Sequence, residues 1–345
     1  MAIKSKYRVF ALLLILPLML ANGAAAYAAE APEAEVPTIK WVNFTVPAGA
    51  MAKAMQLDID TYGSDESAHI DWIVLLATLG TRYGGDWKVY KPAHMDAAAE
   101  RLSAGETPRD ILSSYKYYDY YHTAYSAVLC GYLGEHQREV PQKDNPGGST
   151  IIHKYGLKAY SPIAEGYSYS HYRDFGNART YGYRRSHFGN DLNGSIGTPI
   201  IAVEGGVVEE TGWNRYGGWR VGIRSHDKKR YYYYAHLRKG HPYAPDIKIG
   251  NIVQGGDVIG YMGMTGYSDK EDVNGMKIPH LHFGVQLVFD ESQKDSPNQI
   301  WIDVYEIVEF LHRNRATVAR IPGTKDYARK YHLYDEYRPY GGFVP

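Results

Sequence analysis

The sequence predicts an α+β protein in which an N-terminal helical domain is followed by a mostly antiparallel β-sheet domain. Two periodicities support this prediction. Apolar residues recur at helical spacing between about residues 50 and 137, whereas short alternating or Val/Ile-rich runs separated by glycines follow between about 175 and 290. A length of 345 residues also accommodates two domains of ordinary size.

The first 28 residues have the layout of a secretory signal peptide. Basic residues at positions 4, 6 and 8 precede the apolar run 9–21, and Ala26-Tyr27-Ala28 offers a small-x-small cleavage site. The apolar run is shorter than the roughly 20 residues that span a bilayer, so we expect cleavage before Ala29 rather than retention as an anchor. The mature chain is then secreted or otherwise extracytoplasmic, with no transmembrane segment.

Composition excludes several classes of protein. With 38 basic and 38 acidic residues the formal charge is zero, so no broad cationic surface for nucleic acid is expected. The single cysteine, Cys130, excludes an internal disulfide and a zinc site built from several thiolates, and we expect it to be buried in a helix. Any metal is therefore held by His, Asp or Glu.

The first half of the chain divides into a flexible leader rich in Ala, Glu and Pro and a helical domain, over residues 29–49 and 50–138 respectively. Ser64 and Asp65 are candidate caps for a helix over 68–83, and Thr107 is the candidate cap of a longer helix. The domain serves packing, or it forms a binding groove around the tyrosine cluster 117–121.

Proline and glycine residues between 139 and 164 predict a linker. The β domain follows over 165–315, and its predicted strands are 198–203, 206–211, 220–225, 230–237, 258–262 and 280–288. Residues 303–313 have apolar positions at helical spacing and predict a helix that caps this domain. A tail rich in Tyr and Arg completes the chain over 316–345.

Two short segments of the β domain offer weak signals of a metal site. His187 and Asp191 are four positions apart and supply an imidazole nitrogen and a carboxylate oxygen, both suitable zinc ligands. A surface histidine beside an aspartate is the commoner explanation of such a pair. His236 shares one strand face with Tyr232 and Tyr234, which by itself indicates still less.

A third segment is more informative. His280 and His282 are two positions apart, so a strand places both imidazoles on one face while Leu281 and Phe283 point into the core. Two histidines side by side on the polar face of a strand are difficult to explain as core filling.

Taken in order, the motifs of the second half form one succession. They are Phe175-Gly176-Asn177-Ala178-Arg179, His187-Phe188-Gly189-Asn190-Asp191, Gly197-Thr198-Pro199, Gly205-Gly206-Val207-Val208, Tyr234-Ala235-His236-Leu237, Gly260-Tyr261-Met262-Gly263-Met264-Thr265-Gly266 and His280-Leu281-His282-Phe283. This succession resembles the lysostaphin-type (LytM-like) zinc metallopeptidases, which cut peptidoglycan. It departs from their pattern in the stretch 265–280, which is longer than usual and bears on substrate specificity.

The resemblance implies a site and a chemistry. His187, Asp191 and His282 are expected to bind Zn²⁺, and His236 and His280 to form a catalytic pair beside the metal. Three protein ligands leave a fourth position for water, as in catalytic zinc sites. The implied mechanism is hydrolysis by a zinc-activated water that the two histidines assist.

The function that these expectations favour is a secreted zinc endopeptidase that hydrolyses peptide cross-links of bacterial peptidoglycan. Its partners are then the stem peptides and cross-bridges of the cell wall, and we expect direct stem-peptide cross-links rather than glycine bridges to be cut. One alternative is a catalytically silent member of the same fold that binds the cell wall or activates a hydrolase. Another is a carbohydrate-binding protein that uses its tyrosine-rich faces without a metal.

Overall fold

A computed structural model describes residues 39–145 and 147–335. One compact unit begins at Thr38 and includes all of them. The predicted signal peptide over 1–28 and residues 29–38 of the predicted leader lie outside the described residues. Residues 39–49 of that leader are described, and there the prediction of a flexible segment is wrong, because Val42, Phe44 and Val46 are buried in the core. In the part that is described, no helix combines the length and the apolar character that crossing a bilayer requires.

The fold class is α+β, as predicted. The described residues contain six α-helices and two short 3₁₀ turns. The helices are α1 (Ala48–Thr61), α2 (Trp72–Tyr83), α3 (Pro92–Ser103), α4 (Pro108–Ile111), α5 (Tyr118–Leu129) and α6 (Tyr305–Leu311), and the turns are Trp87–Val89 and Glu291–Gln293. Five of the helices precede the sheet in the sequence, and α6 is the predicted helix that follows it.

Helix α2 begins later than predicted. Its cap is Asp71 rather than Ser64 or Asp65, because the Asp71 carboxylate accepts hydrogen bonds from the backbone N–H groups of Ile73 and Val74 at 2.7 and 2.9 Å.

The long helix predicted from Thr107 is two helices. Thr107 is the cap, as predicted, and forms a capping box with Asp110, but α4 ends after a single turn at Ile111. Ser113 and Ser114 follow, and serine hydroxyls compete for backbone hydrogen bonds and so weaken a helix interior. The apolar periodicity continues through this break because α4 and α5 both contact α2.

Seventeen strands lie in the described residues, and each predicted strand is among them. They are β1 (Leu133–Pro141), β2 (Ser149–Leu157), β3 (Ser170–His171), β4 (Ala178–Arg179), β5 (Arg185–Ser186), β6 (Asn190–Asn193), β7 (Pro199–Ile201), β8 (Gly206–Asn214), β9 (Gly218–Ser225), β10 (Arg230–Ala235), β11 (Ile252–Val253), β12 (Val258–Tyr261), β13 (His280–Leu287), β14 (Ile300–Ile302), β15 (Val318–Arg320), β16 (Tyr327–Arg329) and β17 (Leu333–Asp335).

The central sheet has eight strands. Its order is β11-β8-β9-β10-β13-β6-β3, and β14 also pairs with β13. A three-stranded sheet has the order β17-β1-β2, and three two-stranded sheets pair β12 with β7, β15 with β16, and β4 with β5. The strand pairs are antiparallel, as the sequence predicts.

The helices and the central sheet share one apolar core. On the inner face of β13, Leu281, Phe283, Val285 and Leu287 are fully buried. The same cluster includes residues of α2, α5 and α6, and Trp72 of α2 packs against Phe310 of α6 with ring centres 6.0 Å apart. The predicted helical and β domains are therefore parts of one packed unit that differ in secondary structure.

Most of the segment 139–164, which the sequence predicts to be a domain linker, belongs to a hairpin that begins before it. β1 and β2 pair from Leu133 opposite Leu157 to Pro141 opposite Ser149. Glycine and proline are also the residues that turns require, and here they connect two paired strands.

A buried ion-pair network connects α5 to the sheet. Arg230 has a 1% exposed side chain, and its guanidinium donates to both carboxylate oxygens of Glu204 at 2.7 and 3.0 Å, to Asp227 at 2.9 Å and to the carbonyl of Ala127 in α5 at 2.8 Å. Cys130 is exposed at the end of α5 rather than buried within it, because it follows the last helical turn.

Glu204→Gln is expected to destabilise the fold by about 3–5 kcal/mol, because it leaves the buried Arg230 charge without its main partner. Urea unfolding of the variant and of the wild type measures this difference. Glu66→Gln makes the same chemical change at an exposed position and should cost less than about 0.5 kcal/mol. Equal unfolding midpoints for the two variants would contradict the role given to the network.

Candidate metal centre

The strand register determines which residues of β6 and β10 lie beside the histidines of β13. β13 lies between β10 and β6, and His280 and His282 share one of its faces. His282 is directly opposite Asp191 of β6 and Ala235 of β10. Residues opposite each other on adjacent strands present their side chains to the same face. Asp191 therefore lies on one side of His282, and His236, which follows Ala235, lies near its other side.

Three ligand atoms converge at this point. Nε2 of His187 lies 3.0 Å from Oδ1 of Asp191 and 2.7 Å from Nδ1 of His282. Nδ1 of His282 lies 3.2 Å from the same carboxylate oxygen. Two imidazole nitrogens this close require a proton or a cation between them, because their lone pairs otherwise repel. Two nitrogens and one carboxylate oxygen form a donor set that suits a divalent transition-metal cation.

Asp174 and Arg179 orient these ligands through hydrogen bonds. If Nε2 of His187 binds a cation, its Nδ1 must carry the proton, and the Asp174 carbonyl and carboxylate oxygens lie 3.0 and 3.2 Å away to accept it. Nη2 of Arg179 donates to Asp174 at 2.8 Å and to Oδ2 of Asp191 at 3.0 Å. The second pairing leaves Oδ1 of Asp191 directed at the two imidazoles.

The same contacts determine the charge of the centre. Burial lowers the pKa of His187, but its hydrogen bonds to Asp174 and Asp191 outweigh burial and raise that pKa to about 9. Burial raises the pKa of Asp191, yet its hydrogen bonds to His187 and His282 hold it well below the ordinary value. The carboxylates thus favour a positive charge among the ligand atoms, which a bound cation supplies.

His236 and His280 form a second pair, with ring centres 4.7 Å apart. Nδ1 of His236 donates to the Thr265 carbonyl and Nδ1 of His280 donates to the Ile278 carbonyl, each at 2.8 Å. These bonds fix the tautomer in which Nε2 keeps its lone pair. Burial, followed by electrostatic repulsion from His280 and His282, holds the pKa of His236 well below its ordinary value, which favours the neutral ring.

The backbone at His236 is unusual. Its φ of 61° lies in the left-handed region, which L-residues other than glycine seldom adopt. The conformation follows directly on the end of β10 and is held by a 2.7 Å hydrogen bond from the His236 N–H to the Gly217 carbonyl. Strain of this kind persists where the surrounding structure fixes a functional side chain.

Both histidine pairs line one cleft of about 780 Å³. Its walls carry many polar and aromatic side chains, among them Arg185, Tyr216, Arg220, Tyr233 and Trp301. The unusually long stretch 265–280 contributes Tyr267 and Met276 to the wall. The insertion that the sequence associates with specificity therefore borders the cleft.

The five residues singled out from the sequence thus lie together. His187, Asp191 and His282 supply converging ligand atoms, and His236 and His280 face the same cleft. Asp174 was missed, although it directly precedes the motif at Phe175, and a carboxylate beside a metal-binding histidine is a common supporting group.

Asp174→Asn is expected to weaken divalent-metal binding by about 10- to 100-fold, because the His187 imidazole loses its charged acceptor and its fixed orientation. Isothermal titration with zinc measures this change. Asp65→Asn alters an exposed carboxylate in the helical part and should leave the affinity unchanged. Identical dissociation constants for the Asp174 variant and the wild type would show that Asp174 does not orient the ligand.

Comparison with known proteins places this cleft in a wider group. Residues 185–296 match the model of peptidase family M23. An L-Ala–D-Glu endopeptidase of Bacillus subtilis is 44% identical over 124 residues, which are 36% of this chain and 36% of that protein. The glycyl-glycine endopeptidase ALE-1 of Staphylococcus capitis is 36% identical over 99 residues, 28% of this chain and 24% of that protein. The chain therefore spans well under half of the length of these curated relatives.

A solved structure gives a further likeness. The catalytic domain of the antimicrobial peptidase lysostaphin from Staphylococcus simulans is 34% identical in the matched part, which covers 36% of this chain and 85% of that domain, with a TM-score of 0.29.

Proposed function

Residues 185–296 belong to peptidase family M23, which confirms the resemblance drawn from the motifs, and from this premise we propose a secreted zinc endopeptidase that hydrolyses peptide cross-links of bacterial peptidoglycan. One observation carries the proposal. Ligand atoms of His187, Asp191 and His282 converge in a cleft that two further histidines also line.

Zinc is the cation we propose for this site. It accepts imidazole nitrogen and carboxylate oxygen at about 2.0–2.2 Å, so tetrahedral coordination requires ligand atoms about 3.3 Å apart. The separations of 2.7, 3.0 and 3.2 Å are close to that requirement. Three protein ligands leave one position free, as catalytic sites do. When bound, zinc lowers the pKa of a coordinated water toward about 7 and polarises a carbonyl oxygen.

His236 and His280 are the proposed catalytic pair. Because each donates its Nδ1–H to a backbone carbonyl, each retains a lone pair on Nε2. A neutral imidazole in this tautomer accepts a proton from the attacking water and returns it to the leaving amine. A protonated imidazole stabilises the negative charge that develops on the carbonyl oxygen during attack.

The proposed substrate is a peptide of the cell wall, and the proposed location is outside the cytoplasm. Support for the substrate comes from the names of the relatives, which describe endopeptidases of L-Ala–D-Glu and glycyl-glycine bonds. Support for the location comes from the signal-peptide layout of residues 1–28. Direct stem-peptide cross-links remain the substrate that we propose over glycine bridges.

A catalytically silent protein that binds the wall or activates a hydrolase is the alternative. A silent member is expected to lack one or more of the five site residues, whereas this chain retains all five in one cleft. The two proposals differ in a measurable result, because a silent protein binds purified walls without releasing peptide fragments.

Chelation tests the proposed function. Removal of the metal with a chelator should abolish the release of peptide fragments from purified walls, and one equivalent of zinc should restore it, because the free imidazoles alone do not polarise the carbonyl. Mass spectrometry of the released fragments identifies the bond that is cut. Walls that remain intact with the fully zinc-loaded protein, across preparations with and without glycine bridges, would reject the proposal.

A further inference from the structure

Among the residues that the structure describes, one cation of the cleft has no acidic partner. Four Arg and Lys side chains line the cleft, and three of them form ion pairs: Arg179 with Asp174 and Asp191, Arg220 with Glu210, and Lys294 with Glu209. No carboxylate oxygen lies within ion-pair distance of the fourth, Arg185, among residues 39–145 and 147–335. A fixed positive charge that the protein leaves unpaired in its own cleft is suited to an anionic group of a ligand.

Arg185 is held in position by neutral groups. Its Nη1 donates to the Tyr181 carbonyl at 2.8 Å, and its Nη2 donates to the Tyr267 hydroxyl at 3.4 Å. The guanidinium carbon lies 4.4 Å from the centre of the Tyr216 ring, over which the planar group stacks. These two hydrogen bonds use two of the five N–H donors of the guanidinium, so three remain for a ligand. A guanidinium fixed in this way binds a carboxylate through two parallel hydrogen bonds at little entropic cost.

Arg185 lines the same cleft as the proposed catalytic groups. It is two positions before His187, and alternate residues of an extended segment share a face. Tyr267 connects it to the second histidine pair, because the hydroxyl of Tyr267 contacts Arg185 while its ring centre lies 6.2 Å from that of His236. An anion bound by Arg185 therefore belongs to a substrate residue beside the scissile bond rather than at a distant end of the peptide.

We propose that Arg185 binds a free carboxylate on the substrate residue next to the scissile amide, and so selects acidic stem peptides over neutral bridges. The inference rests on the proposed hydrolysis of cell-wall peptides, and it places the cut beside an acidic residue within a stem peptide rather than at a cross-link between stem peptides. A glutamyl residue keeps one carboxylate outside the peptide chain, whereas a glycine bridge has no charged side group. An L-Ala–D-Glu bond therefore offers the anion that Arg185 lacks, and a glycyl-glycine bond does not.

A matched pair of substrates tests this proposal. One is a synthetic stem peptide that contains an L-Ala–D-Glu bond with its free carboxylate, and the other carries a carboxamide in place of that carboxylate. The zinc-loaded full chain should cleave the acid with a kcat/KM about 10- to 100-fold above that of the amide, the range expected for a charge-assisted hydrogen bond. Arg185→Gln should remove this preference by slowing cleavage of the acid alone, and Arg185→Lys should restore only part of it.

Arg184→Gln is the matched control. It removes the same charge from the adjacent, exposed position, and the preference for the acid should persist. Equal cleavage of the acid and the amide by the wild type, or a preference that survives in Arg185→Gln, would overturn the proposal.

A binding measurement separates failure of this proposal from failure of the proposed function. Zinc-loaded His280→Ala should bind the acid about 10- to 100-fold more tightly than the amide, and the further change Arg185→Gln should abolish the difference. Such a preference without cleavage by the wild type would reject the peptidase and retain the carboxylate subsite. Equal affinities for the two peptides would reject the subsite.

Discussion

Replacing His187 by alanine is expected to abolish stoichiometric zinc binding and to slow release of peptide fragments from purified walls by at least about 10³-fold. The variant retains only two of the three converging ligand atoms, and Asp174 loses the imidazole that it orients. A bound metal supplies several kcal/mol of transition-state stabilisation, which corresponds to a rate effect of this size. Zinc content by mass spectrometry and the initial rate of fragment release measure the two effects together.

His153→Ala is the matched control for that variant. His153 is exposed on β2, so its loss should leave both the zinc content and the rate within twofold of the wild type. If His187→Ala kept one equivalent of zinc at unchanged affinity, His187 would not be a ligand.

Replacing His280 by alanine is expected to give the second-largest effect, with a different signature. Zinc should remain bound, while kcat falls by about 10²- to 10⁴-fold, the range for loss of a general acid or base. The reason is positional: Nδ1 of His280 is engaged by the Ile278 carbonyl, and its Nε2 lies 3.7 Å from the Asp191 carboxylate rather than among the converging ligand atoms.

The double variant that combines His280→Ala with His236→Ala adds a further test. If the two imidazoles act on the same proton transfer, their joint loss should cost little more than the loss of either one, because effects within one catalytic unit are not additive. Loss of zinc from His280→Ala would instead make His280 a ligand, and undiminished kcat would remove it from the mechanism.

The site was predictable because a strand has a simple period. His280 and His282 alternate with Leu281 and Phe283, and the structure places the first pair in the cleft and the second in the core. A local sequence pattern does not specify the register between paired strands. That His282 lies opposite Asp191, from which it is separated by 90 intervening residues, depends on the pairing of β13 with β6.

Other features depend on context that a local pattern lacks. The sequence did not predict the hairpin of β1 and β2, because turns and linkers use the same residues, glycine and proline. The sequence did not predict the break between α4 and α5, because the apolar face continues through it. No local pattern singled out Arg185, because its significance is a comparison: within the described part of the chain, the other cations of the cleft have acidic partners and Arg185 has none.

Anomalous X-ray diffraction at the zinc absorption edge, from crystals of the zinc-loaded protein, tests the metal assignment most directly. We predict a single peak within about 2.0–2.2 Å of Nε2 of His187, Oδ1 of Asp191 and Nδ1 of His282. Two results would contradict the account. One is zinc fully bound at another position with no peak in the cleft, and the other is a peak bound by His236 and His280 instead.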